Sequence, residues 1–264
     1  MLEHTEANDL AGRYLAELDA RAQHRSFADL ASDQSLDAAY AVQDAFHRLL
    51  GERGHRIAGY KVALTSRAMQ EFVGVDEPLA GAVFDHVVHA SPAAVRLNDH
   101  RHLGVEFEVA VRMGADLPAD AGPHTRESVA DAVGACHASF ELVEDRNADY
   151  SSLNVFDLVA ENAWNTAVVL ADAVTEWRSV DLVGGATRLT LNGEPAGEGR
   201  TGDALGHPLE AVAFLANNLN SRGQSLRAGQ FVMTGSSIVT QFPSASDELV
   251  FTIEGLGEVS LSCH

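Results

Sequence analysis

The sequence predicts an α+β fold: a helical N-terminal portion over residues 1–56, then a mixed, strongly curved sheet or barrel-like sandwich over residues 57–264, the two forming one structural unit. Three observations carry this. The first fifty-odd residues repeat their apolar positions at three-and-four spacing. From Ile57 onward the texture changes to short β-rich runs separated by Gly, Asn, Asp and Pro. The runs do not alternate with helices in the manner of a doubly wound sheet.

Taken in order, a first helix is expected over Asn8 to Arg25. A second is expected over Ser35 to Gly54, where Leu36, Ala39, Tyr40, Val42, Phe46, Leu49 and Leu50 form a stripe. Ser35 is suited to the N-cap, and Gly51 and Gly54 to the stop. Strands are expected in GVEFEVAVRM, AVVLADAV, ATRLTLNG, GQFVMTG, ELVFTIEG and GEVSLS, with Asn192-Gly193 as a hairpin turn. Two helices interrupt them, at Arg126 to Cys136 and at Pro208 to Arg222. The second shows Leu209, Val212, Ala213, Leu215, Ala216 and Leu219 on one face.

Composition excludes several classes of function. The formal net charge is −20, and the few basic residues are scattered, so a phosphate-tracking or anionic-membrane surface is not expected. The acidic opening MLEHTEANDLAGRYLAELDA has no basic or apolar region of a signal peptide, and no apolar stretch is long enough to span a bilayer. A cytoplasmic protein with no membrane partner is expected. Cys136 and Cys263 lie far apart and read as reduced, inert thiols.

One bias is sharper: the chain has seventeen Arg and a single Lys, Lys61. A lysine that survives where Arg serves everywhere else is suited to losing its proton, which guanidinium does not do. The alternative, a remnant on a strand edge, stays open. Glu106 and Glu108 are two apart on an expected strand, so both carboxylates point the same way. Either this is the wet acidic face of a half-buried strand, or it is a clamp for a hard cation such as Mg²⁺ or Mn²⁺. The candidate third ligand is Glu141, set in the apolar run of HASFELVEDR, with Glu144 and Asp145 reading as solvated. His100 and His102 lie in a polar segment, and a histidine-rich metal site is the weaker option. No GxxxxGK[ST] or GxSxG occurs. Ser236 and Ser237 in TGSSIVTQFP either line a pocket or form a turn.

GYKVALTS with Lys61, GVDEPLAG, the E-x-E strand, FELVEDR, AENA at 160–163, LGHPL at 205–209 and LRAGQFVMTG at 226–235 together resemble the 2-keto-4-pentenoate hydratase and 4-oxalocrotonate decarboxylase family, part of the fumarylacetoacetate hydrolase superfamily. The resemblance runs from about Gly59 to the C-terminus. It implies a mixed β-sandwich roll preceded by helices, Mg²⁺ or Mn²⁺ held by Glu106, Glu108 and Glu141, and Lys61 as acid/base. It places Leu79, Arg146, Asn162, Trp164, His207, Ser236 and Ser237 in the substrate-binding set.

The activity so implied is that of a lyase of 2-oxo or 2-hydroxydienoic acids in catabolism such as aromatic meta-cleavage. A hydratase comes first and a 2-oxo-3-hexenedioate decarboxylase second. A keto-enol tautomerase, a C–C hydrolase or a non-catalytic partner subunit is the further alternative. A homo-oligomer is implied, of a kind that can associate with a related lyase. Two positions depart from the hydratase pattern: Leu79 stands where hydratases usually carry Asp, and Trp164 replaces a small residue. Both are expected within reach of the substrate beyond C3. Lys61 is expected close to the metal with a depressed pKa, provided the cation cancels most of the field of the three glutamates.

Overall fold

The computed structural model describes residues 2–119 and 122–264. The chain opens with helix α1 (His4–Asp19), which starts earlier and stops sooner than its apolar spacing predicts. It stops because Arg21 turns to a left-handed φ of 50°. Helix α2 (Leu36–Glu52) follows, with the Ser35 side chain accepting from the Ala38 N–H as its cap. The two helices pack through Tyr14 and Phe46, whose ring centroids are 4.8 Å apart. They are tied to the rest of the chain by Gln43, which is buried and whose Nε2 donates to the carbonyls of Ala80 and Val159, both at 2.8 Å.

Next come β1 (Ile57–Ala63), helix α3 (Arg67–Val73), β2 (Leu79–Phe84), β3 (Val88–Ala90), β4 (Ala93–Val95) and the long β5 (Leu103–Met113). Helix α4 (Arg126–Ala130) leads into β6 (Val133–Glu144). Here the expected helix of Arg126 to Cys136 is corrected. Only its first turn is helical, because Val133, Ala135 and Cys136 pair with Met113, Arg112 and Val111 of β5 instead. Helix α5 (Val155–Ala160), β7 (Asn165–Leu170), β8 (Ala186–Leu191) and β9 (Glu194–Arg200) follow, the last two joined at Asn192-Gly193 with φ values of 55° and 82°. Positive φ at both positions is what a tight hairpin demands. Helix α6 (Pro208–Ser221), β10 (Phe231–Ser236), β11 (Glu248–Ile253) and β12 (Gly257–Cys263) complete the fold.

Among the described residues the strands form two mixed sheets, ordered β2-β1-β10-β5-β6-β7-β3 and β4-β12-β11-β8-β9. They meet through Phe107 of β5, Phe140 of β6 and Phe251 of β11, with ring centroids 5.5–6.3 Å apart. Burying each phenyl contributes about 1.5–3 kcal/mol. Since side chains alternate along a strand, fixing Phe107 in this core turns Glu106 and Glu108 to the opposite face. Past β10 the chain stays beside β5: Ser237 N–H donates to Phe107 O at 2.9 Å and Gln241 N–H to Val105 O at 3.0 Å. No helix of the described residues is long and apolar enough to cross a membrane.

Candidate active site and metal centre

The antiparallel register of β5 and β6 sets Glu106 directly opposite Glu141, with Glu108 one pleat further along β5. One carboxylate oxygen from each of the three lies within 4.8 Å of the others. Glu108 and Glu141 are buried and Glu106 is partly so. The protein holds one oxygen of each. Glu106 Oε1 accepts from Thr240 Oγ1 at 3.0 Å, Glu108 Oε2 from the Gly235 N–H at 2.8 Å, and Glu141 Oε1 from Asn165 Nδ2 at 2.9 Å. The other oxygens of Glu108 and Glu141 are buried without any hydrogen-bond partner. Orphaned carboxylate oxygens packed among like charges are costly unless a cation lies between them. The residues therefore fit a divalent ion of hard, oxygen-preferring character.

The electrostatics say the same. Burial, and then the charges of Glu141 and Glu106, push the Glu108 carboxyl well above the usual range. Glu141 is pushed up to about 7 by burial, with the Lys61 ammonium pulling against it and Glu106 adding to the rise. Without a cation this constellation resists full ionisation. A second group, His55, Asp85 and His86, also brings three ligand atoms together, but at the surface. There the two imidazoles stack at 3.6 Å and none of the three side chains has a buried, unpartnered atom.

Lys61 is 2% exposed, and its Nζ lies 3.1 Å from Glu141 Oε1 and 3.0 Å from the carbonyl oxygen of Ala163. Its expected depressed pKa is not what the metal-free constellation gives. Burial pulls the ammonium down, but Glu141, Glu106 and Glu108 together outweigh it and raise the pKa. Room for the lysine comes from its strand partner Gly81, where a Cβ would stand 3.2 Å from Lys61 Cδ and 2.9 Å from Asn162 O. Gly235 does the equivalent for Glu108: its φ of 101° aims the N–H at the carboxylate, and a side chain there would collide with Thr65.

The carbonyl that holds Lys61 belongs to an unusual turn. Asn162, Ala163 and Trp164 all take left-handed φ values, 56°, 46° and 58°, which cost of order 1–3 kcal/mol each. Their surroundings over-determine the turn. The Asn162 amide pairs with both backbone groups of Ala82, accepting at 2.7 Å and donating at 2.9 Å. Trp164 Nε1 donates to Glu161 Oε2 at 2.6 Å, and Glu161 is held in turn by the guanidinium of Arg146.

A cavity of about 440 Å³ opens on Lys61 and Glu106. Trp164, Ser236 and Ser237 line it; Leu79, Arg146, Asn162 and His207 do not. Leu79 is fully buried opposite Ala63. Arg146 is 1% exposed, paired with Glu161 and with Glu17 of α1, and its guanidinium sits 5.2 Å from the Tyr14 ring centroid. Asn162 is spent on β2. His207 is the N-cap of α6, its Nδ1 accepting from the Leu209 N–H at 3.0 Å. Motif membership reports only that a residue is near the site in the chain: here Asn162 and His207 spend their side chains on backbone groups and Arg146 spends its own on two carboxylates.

Sequence reasoning missed Asn165, Thr240, Tyr150 and the carbonyl of Ala163. Asn165 and Thr240 reach the glutamates only through strand register and the path of the chain after β10, which no local pattern encodes. Tyr150, which lines the cavity and donates to Asp145 Oδ2 at 3.2 Å, sits in a loop with no periodic signal.

Residues 52–262 match the fumarylacetoacetate (FAA) hydrolase C-terminal family. The chain is similar to a 2-hydroxyhexa-2,4-dienoate hydratase of Comamonas testosteroni, 34% identical over 229 residues, covering 83% of this chain and 85% of that one. It is similar to a 2-keto-4-pentenoate hydratase of Burkholderia vietnamiensis, 33% identical over 257 residues and 96% of each chain. The solved 4-oxalocrotonate decarboxylase of Pseudomonas putida G7, complexed with magnesium and adipate, superposes with a TM-score of 0.93 at 27% identity, covering 100% of this chain and 99% of that one.

Proposed function

We propose a function from the premise that this chain belongs to the fumarylacetoacetate hydrolase family: it is a divalent-metal-dependent lyase that hydrates 2-hydroxy-2,4-dienoates to 4-hydroxy-2-oxo acids. The observation that carries the reading is the cluster of three carboxylates with two buried, unpartnered oxygens, in which the other oxygen of Glu141 lies 3.1 Å from the chain's single lysine. Mg²⁺ or Mn²⁺ suits three carboxylate ligands, held by Glu106, Glu108 and Glu141. Once bound, the ion would supply Lewis-acid stabilisation for the enolate of a 2-oxo acid.

The chain's own residues do the rest. Ala163 O and Glu141 fix Lys61 Nζ at the metal-side end of the cavity, where it takes the 2-hydroxyl proton of the dienol. Protonation at C5 completes ketonisation and leaves C4 electrophilic. Water then delivers hydroxide to C4 and a proton to C3, so substrate plus water balances the 4-hydroxy-2-oxo product. Asn165 and Thr240 orient Glu141 and Glu106, and Trp164 closes the wall over the reacting chain.

The second reading is decarboxylation of a 2-oxo-3-enedioate, in which the same enolate accepts the electrons left by departing CO₂. The superposition on a decarboxylase over the whole chain favours it. Purified protein with Mg²⁺ is incubated with 2-hydroxypenta-2,4-dienoate and, separately, with 2-oxo-3-hexenedioate. Loss of dienol absorbance with formation of 4-hydroxy-2-oxopentanoate, abolished by chelator and restored by Mg²⁺, is expected. Release of CO₂ from the diacid with no hydration of the dienoate establishes the second reading, and turnover of neither overturns both.

A further inference from the structure

The cavity is larger and more apolar than a five-carbon substrate requires. Even at the ~30 Å³ that a water-sized centre occupies in the liquid, the eight heavy atoms of 2-hydroxypenta-2,4-dienoate fill roughly 240 Å³, against a cavity of about 440 Å³. Beyond Lys61 and Glu106 the walls are Met69 of α3, Val143 of β6, Leu153, Leu158 of α5, Trp164 and Val239.

Among the described residues that line it, Lys61 is the sole cation, and Glu141 and Ala163 O already engage it. The hydroxyls deeper in the wall are spent as well. Ser236 Oγ donates to Ile238 O at 2.6 Å, Thr240 to Glu106, and Tyr150 to Asp145, while Ser237 Oγ is 3.0 Å from Thr187 Oγ1. Only Thr65 and Ser66 remain, and the Ser66 oxygen caps α3. Asp145, 1% exposed behind Tyr150, is bonded to His102 Nδ1 at 2.7 Å and brings no cation to that side. A second substrate carboxylate would enter this space with no cation to pair it and anionic groups nearby, whereas alkyl or aryl carbon would exchange water for apolar wall.

Resting on the hydratase reading above, we propose that the substrate carries an uncharged apolar substituent at C5, longer than methyl, and that the cavity discriminates against diacids of the same backbone. The test compares kcat/KM, with Mg²⁺ saturating, for three dienols that differ only at C5. They are 2-hydroxypenta-2,4-dienoate, its butyl homologue 2-hydroxynona-2,4-dienoate, and the diacid 2-hydroxyhexa-2,4-dienedioate. The butyl compound is expected to exceed the unsubstituted one by at least about tenfold, and the diacid to fall at least about tenfold below it. A diacid equal to or better than the unsubstituted dienol, or no gain from butyl, overturns the proposal while leaving the lyase reading intact.

Should none of the three turn over, the hydratase reading fails and binding still decides the cavity's preference. Calorimetric affinities of the Mg²⁺-loaded protein for 2-oxononanoate, 2-oxopentanoate and 2-oxohexanedioate are expected in that descending order. A diacid that binds as tightly as the nine-carbon acid overturns the proposal.

Discussion

At the scale of single residues, the decisive side chain is Lys61. Desolvation and three carboxylates act on it in opposite directions, and a divalent cation among the carboxylates shifts the balance towards the neutral amine. Lys61→Arg keeps the charge but cannot give up its proton in this range, so kcat is expected to fall by about 10²–10⁴-fold. The measurement is steady-state kinetics at saturating Mg²⁺ beside a metal titration, which should change little; a kcat within a few-fold of wild type assigns the proton transfer elsewhere. That this residue was legible in the sequence is a matter of rarity, one lysine against seventeen arginines. Glu106 and Glu108 were legible because strand period puts them on one face. Arg146, Leu79, Asn162 and His207 do not line the cavity, for the complementary reason. They lie within motifs that surround the site, but whether a side chain faces the cavity or the scaffold behind it depends on tertiary pairing. The guanidinium of Arg146 is drawn to Glu17 and Glu161 in elements far apart in the chain.

At the scale of elements, the left-handed turn of Asn162 to Trp164 connects scaffold to chemistry. The path runs from the Arg146 guanidinium to Glu161, on to the Trp164 indole, and through the strained backbone to Ala163 O and Lys61. Arg146 has a second carboxylate partner in Glu17 of α1, so the N-terminal helix supports a site whose cavity it does not line. Removing Arg146 leaves Glu161, itself fully buried, without its counter-charge. Arg146→Met is expected to destabilise the protein by roughly 3–5 kcal/mol in urea unfolding, the usual range for breaking a buried pair from one side. In the protein that remains folded, kcat should fall further than the affinity for Mg²⁺, because the turn orients Lys61 and not the glutamates. Unchanged kcat in the folded fraction would confine the network to stability. Elements also mark where sequence reading is weakest. The period of Arg126 to Cys136 is compatible with a helix, yet pairing with eleven-residue β5 turns its second half into strand. Helix α2 read correctly because its cap, Ser35, coincides with the start of the apolar stripe, and helix α6 because its apolar face is continuous from Leu209 to Leu219.

At the scale of the whole molecule, an excess of twenty negative charges makes the fold responsive to cations in two separable ways. Any salt screens the general self-repulsion, whereas a divalent ion bound between the three glutamates removes a local penalty that screening reaches poorly. The buried carboxyl of Glu141, pushed up to about 7 from an ordinary 4.5, gives that penalty a sign. A carboxyl whose folded pKa lies above its unfolded value binds more protons when folded between the two, so stability is highest below 4.5 and declines as pH rises towards 7. Bound Mg²⁺ stabilises the ionised form and should remove this contribution, adding about 2.7 kcal/mol on its own at a hundredfold excess over its Kd. The check is denaturant unfolding at pH 5 and pH 7.5, in chelator and in Mg²⁺, with NaCl matching the ionic strength. The Mg²⁺ increment is expected to be larger at pH 7.5 than at pH 5, and Glu108→Gln should remove most of it while leaving the NaCl response untouched. An increment that NaCl reproduces in full, or that persists in Glu108→Gln, would reduce the triad to one more part of a generally acidic surface.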